Sequence, residues 1–404
     1  MLRVSKVLVL SLLVVAMCSP MAMATTSRVQ ALAGTSSYIN DDSDIFRWYG
    51  TLPSYSKMVM AEVGQSSVAG SFGDVSVDYQ ALGFTHNWGE DSPFGTWAVF
   101  LLMNSVEDGS FYLFNPLGTP GAGSTLGLSV PSTKFVLAWG TEVEMLSIGL
   151  MFTRSDVMIE EPATGKNDLA FTTLGGGLRV DLADELYADG AFTVGWAGGD
   201  TLGGWDKGVA FNLEGRAFWE ILDDATVVPH FGYRAYKFAL EDPLAPHGDE
   251  WSDIVVGASF NFDVNTNNML IFATELEWVN WKYAKADGDR SEVDVQVLPQ
   301  FYLALESDVT SWFTARVGAT KMMSRVTVKD AVGDESTYTN FEVVPFAAMD
   351  DFEFYLGGGF HIGEWDIDAV FSHELPFRMG YWLTGYGAGD SDPPVMRASA
   401  TYRF

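Results

Sequence analysis

The chain contains one cysteine in 404 residues, at position 18, so neither a disulfide framework nor a cysteine-ligated metal site can be built from it. Its five histidines, His86, His230, His247, His361 and His373, fall at no metal-ligand spacing. Cations are scarce as well. Lys and Arg number 23 against 53 Asp and Glu, giving a formal charge of −30, which argues against nucleic acid or an anionic membrane surface as a partner. After the first two dozen residues there is no run of about 18 apolar residues, so no helical membrane span is expected. Phosphate loops at strand-helix junctions and nucleophile elbows are missing too. Gly175-Gly176-Gly177 and Gly357-Gly358-Gly359 lie inside strand patterns, where glycine marks a bend or the close approach of another side chain. No catalytic residue, metal ligand or cofactor is expected, and the chain does not read as an enzyme.

The apolar residues that are present begin with a leader. Arg3 and Lys6 form a basic head, Val7 to Met17 an apolar stretch, and Ala22-Met23-Ala24 a small-residue cleavage site. This is the pattern of a secretory signal peptide, and its apolar stretch is shorter than the roughly 17 residues a membrane helix needs. Residues 1–24 are therefore set apart from the fold. Met17 before Cys18 does not suit a lipoprotein site, so the mature chain is expected to carry no cysteine. Loss of Arg3 and Lys6 makes it more acidic still. The acidity has two readings: solubility in transit with acidic surface loops, or a cation-attracting vestibule and divalent-ion sites among surface lipids.

The remaining apolar content is dispersed. Hydrophobic residues make up 48% and aromatics 14% of the chain, with 41 glycines, a composition suited to many short strands with aromatic belts. Several runs of 12 to 15 residues alternate at period two. In 208–221, Val209, Phe211, Leu213, Ala217, Trp219 and Ile221 oppose Asn212, Glu214, Arg216 and Glu220. In 171–182, Leu174, Leu178, Val180 and Leu182 oppose Thr173, Arg179 and Asp181. In 291–305, Val293, Val295, Val297, Phe301, Leu303 and Leu305 oppose Glu292, Asp294, Gln296, Gln300 and Tyr302, which puts Val295 toward lipid and Gln296 toward the lumen. A strand tilted through a membrane needs roughly 9 to 11 residues, so these runs cross and extend beyond the rim.

Short connections alternate with long ones. The short ones lie around Glu144, Ala183-Asp184, Asp223-Asp224, Asn265–Asn267, Ser307-Asp308 and Gly363-Glu364. The long ones run near 105–133, 155–170, 197–207, 239–250, 284–290, 323–352 and 375–393. This is the alternation of periplasmic turns and outer loops in a transmembrane antiparallel β-barrel occupying residues 56–404. Strand starts fall near 57, 76, 95, 134, 145, 171, 185, 208, 225, 251, 268, 291, 309, 354, 365 and 394. That makes sixteen strands, or fourteen if the first strand and the 323–352 stretch fail. Inward charges Glu214, Arg216 and Glu220, with His230 and Arg234 on the next strand, form either a solvated ladder that stiffens the barrel or a polar constriction that guides a solute.

The chain ends PPVMRASATYRF, with Met396, Ala398, Ala400, Tyr402 and Phe404 on one face. This resembles the terminal strand recognised by the outer-membrane barrel assembly machinery, and the expected partners are that machinery and outer-membrane lipid. Tyr402 and Phe404 are the candidate assembly signal.

Residues 25–55 do not alternate and are too rich in aromatics for a disordered linker. Arg28, Ala31, Leu32 and Gly34, followed by Asp41-Asp42 and an aromatic turn ending at Leu52, resemble the start of the outer-membrane long-chain fatty-acid transporter superfamily. The superfamily's Asn-Pro-Ala turn is replaced here by Tyr49-Gly50-Thr51. The resemblance implies a small hatch tucked into the barrel and, in some members, transport of hydrophobic molecules. Its candidate residues are Asp41, Asp42, Phe46, Trp48, Tyr49 and Leu52. A plain plug at the periplasmic mouth is the simpler alternative. Two functions are thus expected to compete: a passive transporter for a small hydrophobic or amphipathic ligand, and an envelope scaffold binding a partner protein through acidic loops.

Overall fold

The computed structural model describes residues 26–34, 36–68, 75–89, 94–103, 133–161, 165–198, 205–240, 250–284, 290–329, 335–339, 352–371 and 395–404. The leader (1–24), nearly all of the connection near 105–133, the connection near 375–393, and His247 and His373 lie outside them.

The first strands are β1 (Met58–Val68), β2 (Val75–Asn87), β3 (Thr96–Met103), β4 (Thr133–Val143), β5 (Leu146–Glu161) and β6 (Gly165–Ala183). They are followed by β7 (Leu186–Gly198), β8 (Trp205–Leu222), β9 (Ala225–Leu240), β10 (Glu250–Asn265), β11 (Asn268–Ala284) and β12 (Arg290–Thr310). The last are β13 (Phe313–Lys329), β14 (Glu335–Thr339), β15 (Phe352–Ile362), β16 (Trp365–Phe371) and β17 (Val395–Arg403). Each pairs antiparallel with its sequence neighbour, and β1 pairs with both β2 and β17, which closes the sheet. The ring has sixteen strands. The extra element, β14, lies on the upper end of β13 at Arg325–Lys329, while β15 takes the lower stretch Phe313–Lys321.

Closure answers the bilayer's main demand, that no backbone N–H or C=O face lipid unpaired. The outer surface is apolar: Leu82, Leu101, Leu150, Leu174, Leu213, Phe272 and Leu303 are all exposed on it. Near the short turns it carries a belt of Trp97, Trp219, Trp312, Trp365, Tyr402 and Phe404, the interfacial girdle of a membrane barrel. The Phe404 amide donates to the Lys57 carbonyl, so the chain end is tied to the first strand at the seam. No described helix is long and apolar enough to cross a membrane.

Three connections differ from the sequence reading. Most of 155–170 is strand, since β5 runs to Glu161 and β6 starts at Gly165. The stretch 323–352 holds the end of β13 and the short β14. The turn expected at Ser307-Asp308 is at Ser311-Trp312, because β12 continues to Thr310.

The larger difference is inside β12. A bulge between Val297 and Gln300, occupied by Leu298 and Pro299, breaks the pairing with β13 and inverts the alternation. Pro fits there because a bulge residue owes no ladder hydrogen bond. Below the bulge, Leu303 and Leu305 face lipid as expected, and Tyr302 and Ala304 face inward. Above it the faces are reversed. Val295 and Val297 point into the barrel, while Glu292 and Asp294 lie on the outer wall with Asn280, Lys282 and Lys329. An outer wall carrying these charges lies above the hydrocarbon, so the upper ends of β11–β13 form the extension beyond the rim.

Arg in place of Leu303 should therefore cost about 2 to 4 kcal/mol near the bilayer midplane, and Arg in place of Val295 clearly less. Denaturant titration of both variants in lipid bilayers measures the difference. A larger loss at Val295 would contradict the inversion.

Candidate functional site

Residues 26–56 fold within the barrel. Helix α1 (Thr26–Ala31) ends where Ala33 and Gly34 take positive φ (62° and 74°) and turn the chain back. The next segment reaches a 3-10 turn, Asp42–Phe46, capped by Asp41. The Asp41 side chain accepts from the Ser43 amide, and Asp44 accepts from the Asp41 amide. A second 3-10 turn, Tyr49–Tyr55, leads into β1.

Apolar side chains of this segment dock around the inner wall. Val29, Leu32 and Ile39 pack on Ile271 and Ala304, and Tyr38 packs with Phe218, Val228 and Ala273. Ile45, Phe46, Trp48, Tyr49 and Leu52 meet Met60, Phe100, Val136 and Met151. Burying each large side chain is worth about 1.5 to 3 kcal/mol, so this packing is the main attraction. The wall glycines make the fit possible: a Cβ at Gly149 would lie 1.7 Å from the Tyr49 carbonyl oxygen, and one at Gly357 would lie 2.3 Å from Ala31 Cβ. The close-approach reading of both glycine triplets is the correct one at Gly175 and Gly177, which face Tyr49 and Gly50, and at Gly357.

Ion pairs set the orientation. Arg216, fully buried, donates to Asp44 at 2.6 Å, to Asp189 at 2.9 Å, and to the carbonyls of Ser36 and Ile39 at 2.9 and 2.8 Å. Its guanidinium also lies 4.4 Å from the Trp48 ring centre. Arg28 makes a two-pronged contact with Glu306, both distances 2.8 Å, and reaches Asp41 at 3.2 Å. Arg403 on β17 holds Asp42 at 2.6 Å, and Arg47 pairs with Glu214. Tyr38 and Tyr302 both donate to Glu275, at 2.8 and 2.5 Å.

Of the residues singled out in the sequence, Trp48 meets both Arg216 and His230, while Phe46 packs on Phe100, Tyr49 meets Thr193, Leu52 lies against Gly140, Asp41 and Asp42 are held by Arg28 and Arg403, and Glu214 pairs with Arg47. His230 meets the ring edges of Tyr38 and Trp48. Arg234 lies two inward positions higher on β9, pairing with Asp253 and Glu277. Glu220 is on the inward face but exposed at the periplasmic turn, apart from this group. Sequence reasoning missed Asp189, Glu275, Glu306 and Arg316; the same period-two rule applied along β7, β11 and lower β12 would have found the first three.

Above the plug the lumen wall changes character. Ala197, Ala210, Tyr236, Trp251 and Val279 form one buried cluster, with Phe171, Trp281 and Val295 packed against it. From the short turns upward the interior thus holds the 26–56 segment with its charged partners, then an aromatic wall.

No family model matches the chain, and no curated protein matches it either. Solved structures do. The monoaromatic hydrocarbon channel CymD is 9% identical with a TM-score of 0.39, covering 94% of this chain and 97% of its own. A Pseudomonas aeruginosa FadL homologue is 12% identical with a TM-score of 0.40, covering 96% and 100%. The toluene transporter TodX of P. putida is 9% identical with a TM-score of 0.41, covering 95% and 99%. The chain is similar to FadL-type barrels.

Replacing Arg216 by Met keeps the length of the side chain and leaves Asp44 buried without its cation, a change of about 3 to 5 kcal/mol for a buried pair. Limited proteolysis should then cut within residues 26–56 faster than in the native protein, while the barrel keeps its heat-modifiable gel mobility. Equal cleavage rates would show that the pair does not hold the plug.

Proposed function

We propose that the protein is an outer-membrane passive channel for small hydrophobic or amphipathic compounds, closed at rest by residues 26–56. The observation that carries this reading is the pairing of a docked plug with an aromatic, apolar lumen wall directly above it. An apolar solute leaving water gains by contact with that wall, whereas a sugar gains little. The wall residues Glu214, Glu306 and Glu275 direct their side chains to Arg47, Arg28 and Tyr38 of this segment, and the wall cation Arg216 takes its Asp44. Passage needs the plug to shift or leave a path past Trp48 and Tyr49, and the solute's own gradient drives the flow. Export by the leader and insertion by the assembly machinery through Tyr402 and Phe404 belong to the same reading.

Deleting residues 27–50, with leader and barrel kept, tests it. Liposomes carrying the intact protein should admit a hydrophobic dye and little sugar. Those carrying the deletion should leak both, with heat-modifiable mobility confirming insertion. No change for either solute would remove the channel reading.

A further inference from the structure

The aromatic wall above the plug ends, on its lower side, in an unequal set of charges. Trp251 and Asp253 are successive inward residues of β10, 3% and 1% exposed. Tyr236 stacks on Trp251 with ring centres 5.8 Å apart and planes 13° from parallel. Asp253 pairs with Arg234, which also lies 3.5 Å from Glu277 and 5.6 Å from the Trp251 ring centre. One guanidinium therefore serves two carboxylates. Below, Arg47 pairs with Glu214, and Glu275 accepts from two tyrosine hydroxyls with His230 Nδ1 3.7 Å away, so the carboxylates still outnumber the guanidinium groups. Two polar atoms here have no hydrogen-bond partner among the described residues: Asp253 Oδ1, an acceptor, and Trp251 Nε1, a donor. Groups left buried and unmet are costly, so a ligand that meets them is favoured selectively.

We propose that Trp251, Tyr236 and Asp253 form a binding site for small aromatic amines. The inference rests on the channel reading and names its substrate class. An aryl ring suits the stacked Tyr236–Trp251 face, an ammonium beside indole and carboxylate gains both cation–π and charge attraction, and the surplus carboxylate supplies the counter-charge. An aromatic acid of the same shape brings a second anion to Asp253 and Glu277 and is disfavoured there. The charge preference thus runs against carboxylate solutes.

Calorimetric titration of the intact detergent-solubilised barrel with phenethylamine, benzyl alcohol and phenylacetate tests the site. Phenethylamine should bind about tenfold or more tighter than phenylacetate, with benzyl alcohol between them. Asp253→Asn should bring that ratio close to one. Trp251→Phe should weaken the amine and the alcohol together. Where Asp253→Asn fails to fold, Glu277→Gln removes the other carboxylate of the set and should reduce the ratio in the same direction. Phenylacetate binding as tightly as the amine, or a ratio unmoved in the folded carboxylate variant, would overturn the proposal. Amine binding without dye entry into liposomes would leave the site and remove the channel; dye entry without a binding preference would do the reverse.

Discussion

Every backbone N–H and C=O that meets hydrocarbon must find its partner within the protein, and this requirement shapes the rest of the molecule. It forces the sheet to close, which β1 achieves by pairing with β2 on one side and with β17 on the other. Closure with sixteen strands leaves an interior wider than the wall's own side chains fill, since about eight strands suffice for a packed core. That interior must hold water, a ligand or a further piece of the chain. Residues 26–56 occupy the half nearer the short turns.

Packing and charge divide the labour of holding them. Leu32, Ile39, Phe46, Trp48 and Leu52 are buried against wall residues and supply most of the attraction. The pairs of Arg28, Arg216 and Arg403 add less net stability, because charges removed from water recover little more than their hydration when paired. Their contribution is placement. Arg216 fits one arrangement, in which Asp44, Asp189 and two carbonyls of the segment converge on its donors. A segment held by broad apolar contact and oriented by a few exacting pairs can be docked firmly and still have a discrete way to loosen.

Much of the fold was legible from alternation. In 208–221 and 171–182 an apolar outer face and a polar inner face gave both the strands and their direction, and Arg216 and Arg179 point inward as read. Upper β12 shows where the rule stops. Its assumption is a polar lumen, and above the bulge at Leu298 and Pro299 the lumen side carries Val295 and Val297 while the outer side, beyond the lipid, carries Asp294. The alternation was misread at the place where the interior is apolar, so the error coincides with the aromatic wall. Within the plug, the Asp41 and Trp48 neighbourhood was legible from its composition. Its partners Glu275 and Glu306 were not, because contacts across more than two hundred residues of sequence follow only from the closed ring.

In the proposed channel, residues 26–56 close the barrel. Leu52 Cβ lies 3.3 Å from the position of a Cβ at Gly140, close to the roughly 3.5 to 4.5 Å that a disulfide spans, and the only native cysteine in the sequence is Cys18. Single-channel recording and dye flux on the Leu52→Cys, Gly140→Cys protein, oxidised and then reduced, would test closure directly. Flux that falls to background when oxidised and returns with reductant is the predicted result; the same flux in both states would contradict the account.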